Sequence, residues 1–123
     1  AKDVVCELAD GATDCQGVWV VAEAVDARDM DHLLSLVDEV RERTKPAVVA
    51  LAAALQGKAV LVVSAGAGVP GVNAGEIVKT AASRFGGGGG GTPQLGRGGG
   101  GDPARLAEAV AAARDAIIAA LGG

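Results

Sequence analysis

Two glycine blocks, Gly86–Gly91 and Gly98–Gly101, restrict what this chain can fold into more than any other feature. They flank the insert Thr92-Pro93-Gln94-Leu95-Gly96-Arg97 and together hold ten of the 20 glycines. Glycine loses more backbone freedom on folding than any other residue, so a run of it stays disordered unless something demands it. A flexible tether has this composition. The blocks lie between two amphipathic segments, however, where a long structureless connection inside a compact domain is rare. Backbone that approaches a neighbour closely, or that takes up positive φ, is the favoured reading, the neighbour being another backbone, a phosphate or a sugar.

Charge divides the chain unevenly. The formal net charge is −4, which argues against a strongly basic nucleic-acid module. Residues 1–45 carry eleven acids against five bases, whereas residues 46–123 carry four acids against six bases. Between Pro46 and Gly101 the one acid is Glu76, set against Lys58, Lys79, Arg84 and Arg97. An anionic partner would therefore meet the second half. Trp19 and Phe85 are the whole aromatic set, so a stacking platform for single-stranded bases is not expected. Cys6 and Cys15 are too few for a secreted disulfide framework, and with His32 they do not complete a zinc site; they read as free thiols of a cytosolic protein. No signal peptide and no run of about 20 apolar residues is present. A start at Ala1 without methionine suggests a fragment or processed product.

Patterning predicts an α/β (α+β) fold, a small mixed β-sheet with helices packed on it in the order β-α-β-β-α-(Gly loop)-α. Val4, Val5 and Leu8 suit the last turns of a helix, so residues 1–16 are assigned to the end of a preceding helical or linker segment and residues 17–123 to the globular domain. Gly17–Val25 is an uninterrupted apolar, β-branched run and predicts a buried strand. Asp29–Thr44 places Met30, Leu33, Leu34, Val37 and Val40 on one helical face. Ala47–Leu55 and Ala59–Ala65 predict two strands joined by a tight turn at Gln56-Gly57-Lys58. The strand–helix–strand order makes the first two strands parallel. Ala74–Phe85 carries Ile77, Val78, Ala81, Ala82 and Phe85 on one helical face. Asp102-Pro103 caps a last helix with Leu106, Val110, Ala113, Ile117 and Leu121 inward.

Motifs for common chemistries fail on mechanism. Gly66-Ala67-Gly68-Val69-Pro70-Gly71 has the letters of a dinucleotide fingerprint, but Pro70-Gly71 and Gly75 delay the helix and no acid follows at ribose distance. Gly57-Lys58 is followed by Ala59 rather than Ser or Thr, so it is not a P-loop. His32 sits at an acidic helix start with no nucleophile assigned to it, and Asp38-Glu39 reads as a solvated helix face. At the second glycine block, successive N–H groups before the last helix suggest an anion nest, partly filled by the Asp102 carboxylate and aided by Arg97.

Taken in order, Gly57-Lys58-Ala59-Val60-Leu61-Val62-Val63, Gly71-Val72-Asn73-Ala74-Gly75-Glu76-Ile77-Val78-Lys79, Gly86–Gly91-Thr92-Pro93-Gln94-Leu95 and Gly98-Gly99-Gly100 resemble the C-terminal domain of alanyl-tRNA synthetase, in the DHH-associated superfamily. The resemblance covers Gly17–Leu121. Thr92 stands where that family has a basic residue before the proline, Gly96 where alanine is common and Arg97 where glutamine is common; Arg97 can supply a positive contact instead. The related DHH phosphoesterases carry a histidine after the glycine run, absent here. The resemblance implies a non-catalytic domain of an alanine–tRNA ligase that binds the tRNA elbow and supports aminoacylation and editing by upstream domains, in the cytoplasm, without a cofactor or metal of its own. Lys79, Arg84, Gln94, Arg97 and the backbone of Gly89, Gly90, Gly91 and Gly99 are the expected RNA contacts. A homodimerisation or protein-interaction domain, and the nucleic-acid arm of a DHH-type phosphoesterase, are the alternatives.

Overall fold

The computed structural model of the protein describes residues 11–15, 17–44, 47–65 and 72–121. The proposed helix end at Ala1–Asp10, Cys6 and the Gly66–Gly71 segment lie outside the described residues. Six strands form one sheet: β1 (Thr13–Cys15), β2 (Val18–Ala24), β3 (Ala47–Leu55), β4 (Lys58–Ala65), β5 (Gly88–Gly91) and β6 (Leu95–Gly101), in the spatial order β1-β2-β3-β4-β6-β5. Three helices, α1 (Met30–Arg43), α2 (Ala74–Ala82) and α3 (Leu106–Ala120), cover it on two faces. The strand–helix–strand expectation holds, since β2 and β3 run parallel around α1 while every other pairing is antiparallel.

Local chemistry sets the element ends. The Asp29 carboxylate accepts from the His32 N–H at 2.8 Å to open α1, and His32 Nδ1 accepts from the Arg28 N–H at 3.0 Å. The sole histidine is thus occupied with helix entry. Gln56 and Gly57 both take positive φ, +53° and +78°, which gives the two-residue hairpin loop whose twist matches its strands. Asp102 caps the chain's last helical segment through the Ala104 N–H, and Pro103 opens a 3-10 turn that leads into α3.

Two apolar layers hold the sheet. On one face, Leu33, Leu36, Val37 and Val40 of α1 pack on Val21, Val49, Leu51 and Val62. On the other, α2 and α3 bury Ile77, Val78, Ala81, Ala113 and Ile117 against Val20, Val48, Leu61 and Val63. Among the described side chains the inward faces read from the helical spacing are those observed, with Leu36 added, while the Phe85 side chain lies outside the described ones and α2 stops at Ala82, with Ser83–Phe85 following as a 3-10 turn.

The glycine blocks require a correction. Gly88–Gly91 and Gly98–Gly101 lie in strands β5 and β6, not in a loop, and the two strands extend the sheet beyond β4 as a hairpin. Glycine has low strand propensity and shows no alternation, so no local signal marks these strands. The reason for them is tertiary. A Cβ on Gly98 would stand 2.8 Å from Val78 Cγ1, and one on Gly96 would stand 2.6 Å from the Ala74 carbonyl oxygen. α2 lies so close to the hairpin that only bare backbone fits beneath it. Gly100, at φ +95°, drops out of register between Val60 and Ala59 as a bulge near the end of β6. Trp19, expected within a buried strand, is 40% exposed on β2.

Candidate nucleic-acid interface

Alternation along the hairpin gives its two faces opposite characters. Gly89, Gly96 and Gly98 point toward α2, where a side chain would collide. Gly88, Gly90 and Arg97 point the other way, and a Cβ on Gly88 or Gly90 would meet nothing within 4 Å. The core beneath α1 draws on β2, β3 and β4 and takes no residue from β5 or β6. The α1-side face of the hairpin is therefore open, and most of it is peptide backbone.

Arg97 rises from this bare strip, paired in register with Val62 on β4 and Gly90 on β5. Leu95, on the same side, is 40% exposed. At the inner border Arg41 of α1 donates from Nη1 to the buried Ser64 Oγ at 2.6 Å and keeps Asp38 at 3.4 Å from Nη2. Ser64 is the register partner of Leu95, so the Arg41 guanidinium is fixed beside β6.

The hairpin turn performs a second task. The Thr92 and Pro93 carbonyls accept from the Gly75 and Ala74 N–H groups at 3.0 and 2.9 Å, and Asn73 Oδ1 accepts from Glu76 at 3.2 Å. All three leading N–H groups of α2 are consumed within the chain, which removes that helix start as an anion site. The start of the last helical segment is capped by Asp102 in the same way, as expected for its nest.

The expected contact residues do not share a face. Arg97, Gln94 and Gly90 belong to the open side or the turn beside it, and Gln94 spends its backbone carbonyl on the Ala65 N–H at 2.9 Å. Gly89 faces α2, and the chain at Gly91 passes against Gly75 at the start of α2. Gly99 pairs with Val60, and its Cβ would come 3.0 Å from Val60 Cγ1 on the α1 side. Lys79 is exposed on α2, across the sheet from Arg97. Arg84 lines a groove with Arg105, Glu108 and Asp115, so two acids share that groove with it. Arg41 escaped the sequence reading because basic residues at a helix end are explained by the helix dipole alone. Nothing in the spacing places α1 beside β6.

Among the described residues no three His, Cys, Asp or Glu side chains gather to hold a metal, and no helix is long and apolar enough to cross a membrane. Sheet, helices and surface together define an accessory α+β domain whose distinguishing part is a glycine hairpin pressed on one helix. Residues 17–119 match the DHHA1 domain family, and the chain belongs to that family. It is 45% identical over 120 residues to an alanine–tRNA ligase of Acidothermus cellulolyticus, covering 94% of this chain and 14% of that protein. An alanine–tRNA ligase of Desulfitobacterium hafniense is 41% identical over 112 residues, covering 89% and 13%. The crystal structure of the C-Ala domain from Aquifex aeolicus alanyl-tRNA synthetase superposes with a TM-score of 0.75 at 27% identity, covering 86% of this chain and 96% of that one. The resemblance read from the glycine pattern is thus shown. The chain spans only about an eighth of the curated ligases it matches and corresponds to a non-catalytic part of them.

Proposed function

We propose that this domain is a tRNA-binding module of an alanyl-tRNA synthetase, holding the outer elbow of the tRNA while upstream domains of the same enzyme aminoacylate and edit it in the cytoplasm. It does so without a cofactor of its own. The observation that carries the reading is Arg97, an exposed cation on a strip of backbone that an RNA strand can approach closely. Phosphate contacts position a nucleic acid and base edges specify it, and a face nearly without side chains suits the first task. The net charge of −4 predicts modest, salt-sensitive affinity carried by a local patch.

Titration of tRNA into the domain at several salt concentrations, beside an unstructured single-stranded RNA, tests this. Saturable binding that prefers tRNA is expected, with Arg97→Ala weakening it by about 3- to 10-fold at an unchanged melting temperature, since exposed charges add little stability. Absence of saturable binding at low salt rejects the reading.

A homodimer is the second reading, favoured by β5: it is an edge strand of four glycines with no lysine, proline or bulge to blunt it. Sedimentation that shows a monomer across the micromolar range rejects it.

A further inference from the structure

Four of the expected contacts, Lys79, Arg84, Gln94 and Arg97, are divided between two sides of the sheet, so one run of RNA backbone does not reach all of them. We infer that the RNA lies on the α1 side, and that Lys58 and Arg41 are contact residues there with Arg97. This rests on the tRNA-binding reading and specifies its surface.

Lys58, Val60, Val62 and Ser64 alternate onto the α1 side of β4, and Val60 and Val62 join the apolar layer under α1. Next to them on β6 stand Gly99 beside Val60, Arg97 beside Val62 and Leu95 beside Ser64; on β5 stand Gly88 and Gly90. Three cations from three segments therefore border one floor. Arg97 lies diagonally about 7–8 Å from Ser64, the residue that anchors Arg41. Lys58 lies four residues from Val62, roughly 13 Å along the strand.

Charge decides which partner fits. β4, β5 and β6 contain no acid, and among the described residues neither Lys58 nor Arg97 has an ion-pair partner. Arg41 shares Nη2 with Asp38 yet remains part-exposed, its side chain 31% accessible. The α2 side is less favourable. Its groove sets Arg84 and Arg105 among Glu108 and Asp115, and Arg105 is bonded to Glu108 at 2.9 Å. An acid-free floor of peptide planes bordered by two unpaired cations, Lys58 and Arg97, and by the part-exposed Arg41 fits a phosphodiester backbone.

The test uses the whole chain and tRNA, with affinity measured against salt and thermal melting measured for every variant. Lys58→Gln and Arg41→Gln are each expected to weaken binding about 3- to 10-fold and to lower the salt slope by about one, as the loss of one phosphate contact does. Gly90→Glu, where the added Cβ enters open space, sets a carboxylate beside Arg97 and is expected to cost more than 10-fold without changing the melting temperature. Arg105→Gln serves as the unaffected control. Tight binding by Gly90→Glu, or larger losses from Lys79→Gln and Arg84→Gln than from Lys58→Gln and Arg41→Gln, would overturn the inference while leaving tRNA binding intact. Failure of the parent chain to bind tRNA overturns both.

Discussion

Gly89 and Gly90 are adjacent in β5, yet a side chain would meet opposite fates at the two positions. A Cβ on Gly89 would stand 2.5 Å from Gly98 Cα and 2.7 Å from Val78 Cγ1, and the first neighbour is backbone that has no room to retreat. On Gly90 it would touch nothing within 4 Å. Gly89→Val is expected to lower stability by about 2–4 kcal/mol, through overpacking between sheet and helix. Gly90→Ala should be neutral or slightly stabilising, because it reduces the freedom of the unfolded chain at a position where φ is not positive. Thermal melting of the two variants checks this: equal melting temperatures would show that α2 does not press on the hairpin. From the sequence these two residues are indistinguishable. They separate only through strand alternation against a helix placed by the rest of the fold.

At the level of elements, α2 and the hairpin turn depend on one another. Two carbonyls of the turn accept from the first N–H groups of α2, Asn73 caps the third, and α2 in turn packs directly on the glycine strands. Asn73→Ala is expected to cost about 1 kcal/mol, the usual worth of such a cap, while Asn73→Asp should retain it. Chemical denaturation of both variants is the measurement, and equal losses in Ala and Asp would exclude the cap as the cause. The elements themselves were largely legible. Helical spacing located α1 and, with Asp102 as cap, α3, and the β-branched runs located β2, β3 and β4. β5 and β6 were not legible as strands, because a glycine run carries neither alternation nor propensity. The site was read in part: Arg97 was singled out, while Arg41 and Lys58 were passed over as a helix-end charge and a turn residue.

Over the whole molecule, stability falls from the centre of the sheet to its glycine edge. β3 and β4 lie between both helical layers with nearly every side chain buried, whereas β5 is a four-residue edge strand with no side chain to bury. Native-state hydrogen exchange should therefore be slowest in β3 and β4 and fastest in β5, with β6 between. Equal protection of β5 and β3 would mean that the hairpin edge is covered in solution. What the sequence by itself determined is the three helices and the strands β2, β3 and β4, the parallel β2–β3 crossover around α1 and the membership in a family marked by its glycine pattern, since these follow from spacing, capping and chain connectivity over short range. What only the tertiary structure decided is the place of β6 between β4 and β5, the division of the glycines into a packed face and an open one, and the side of the sheet on which each cation stands. Those depend on contacts between segments far apart in the chain, where the close approach of α2 selects glycine for its lack of a Cβ and leaves no trace in local periodicity.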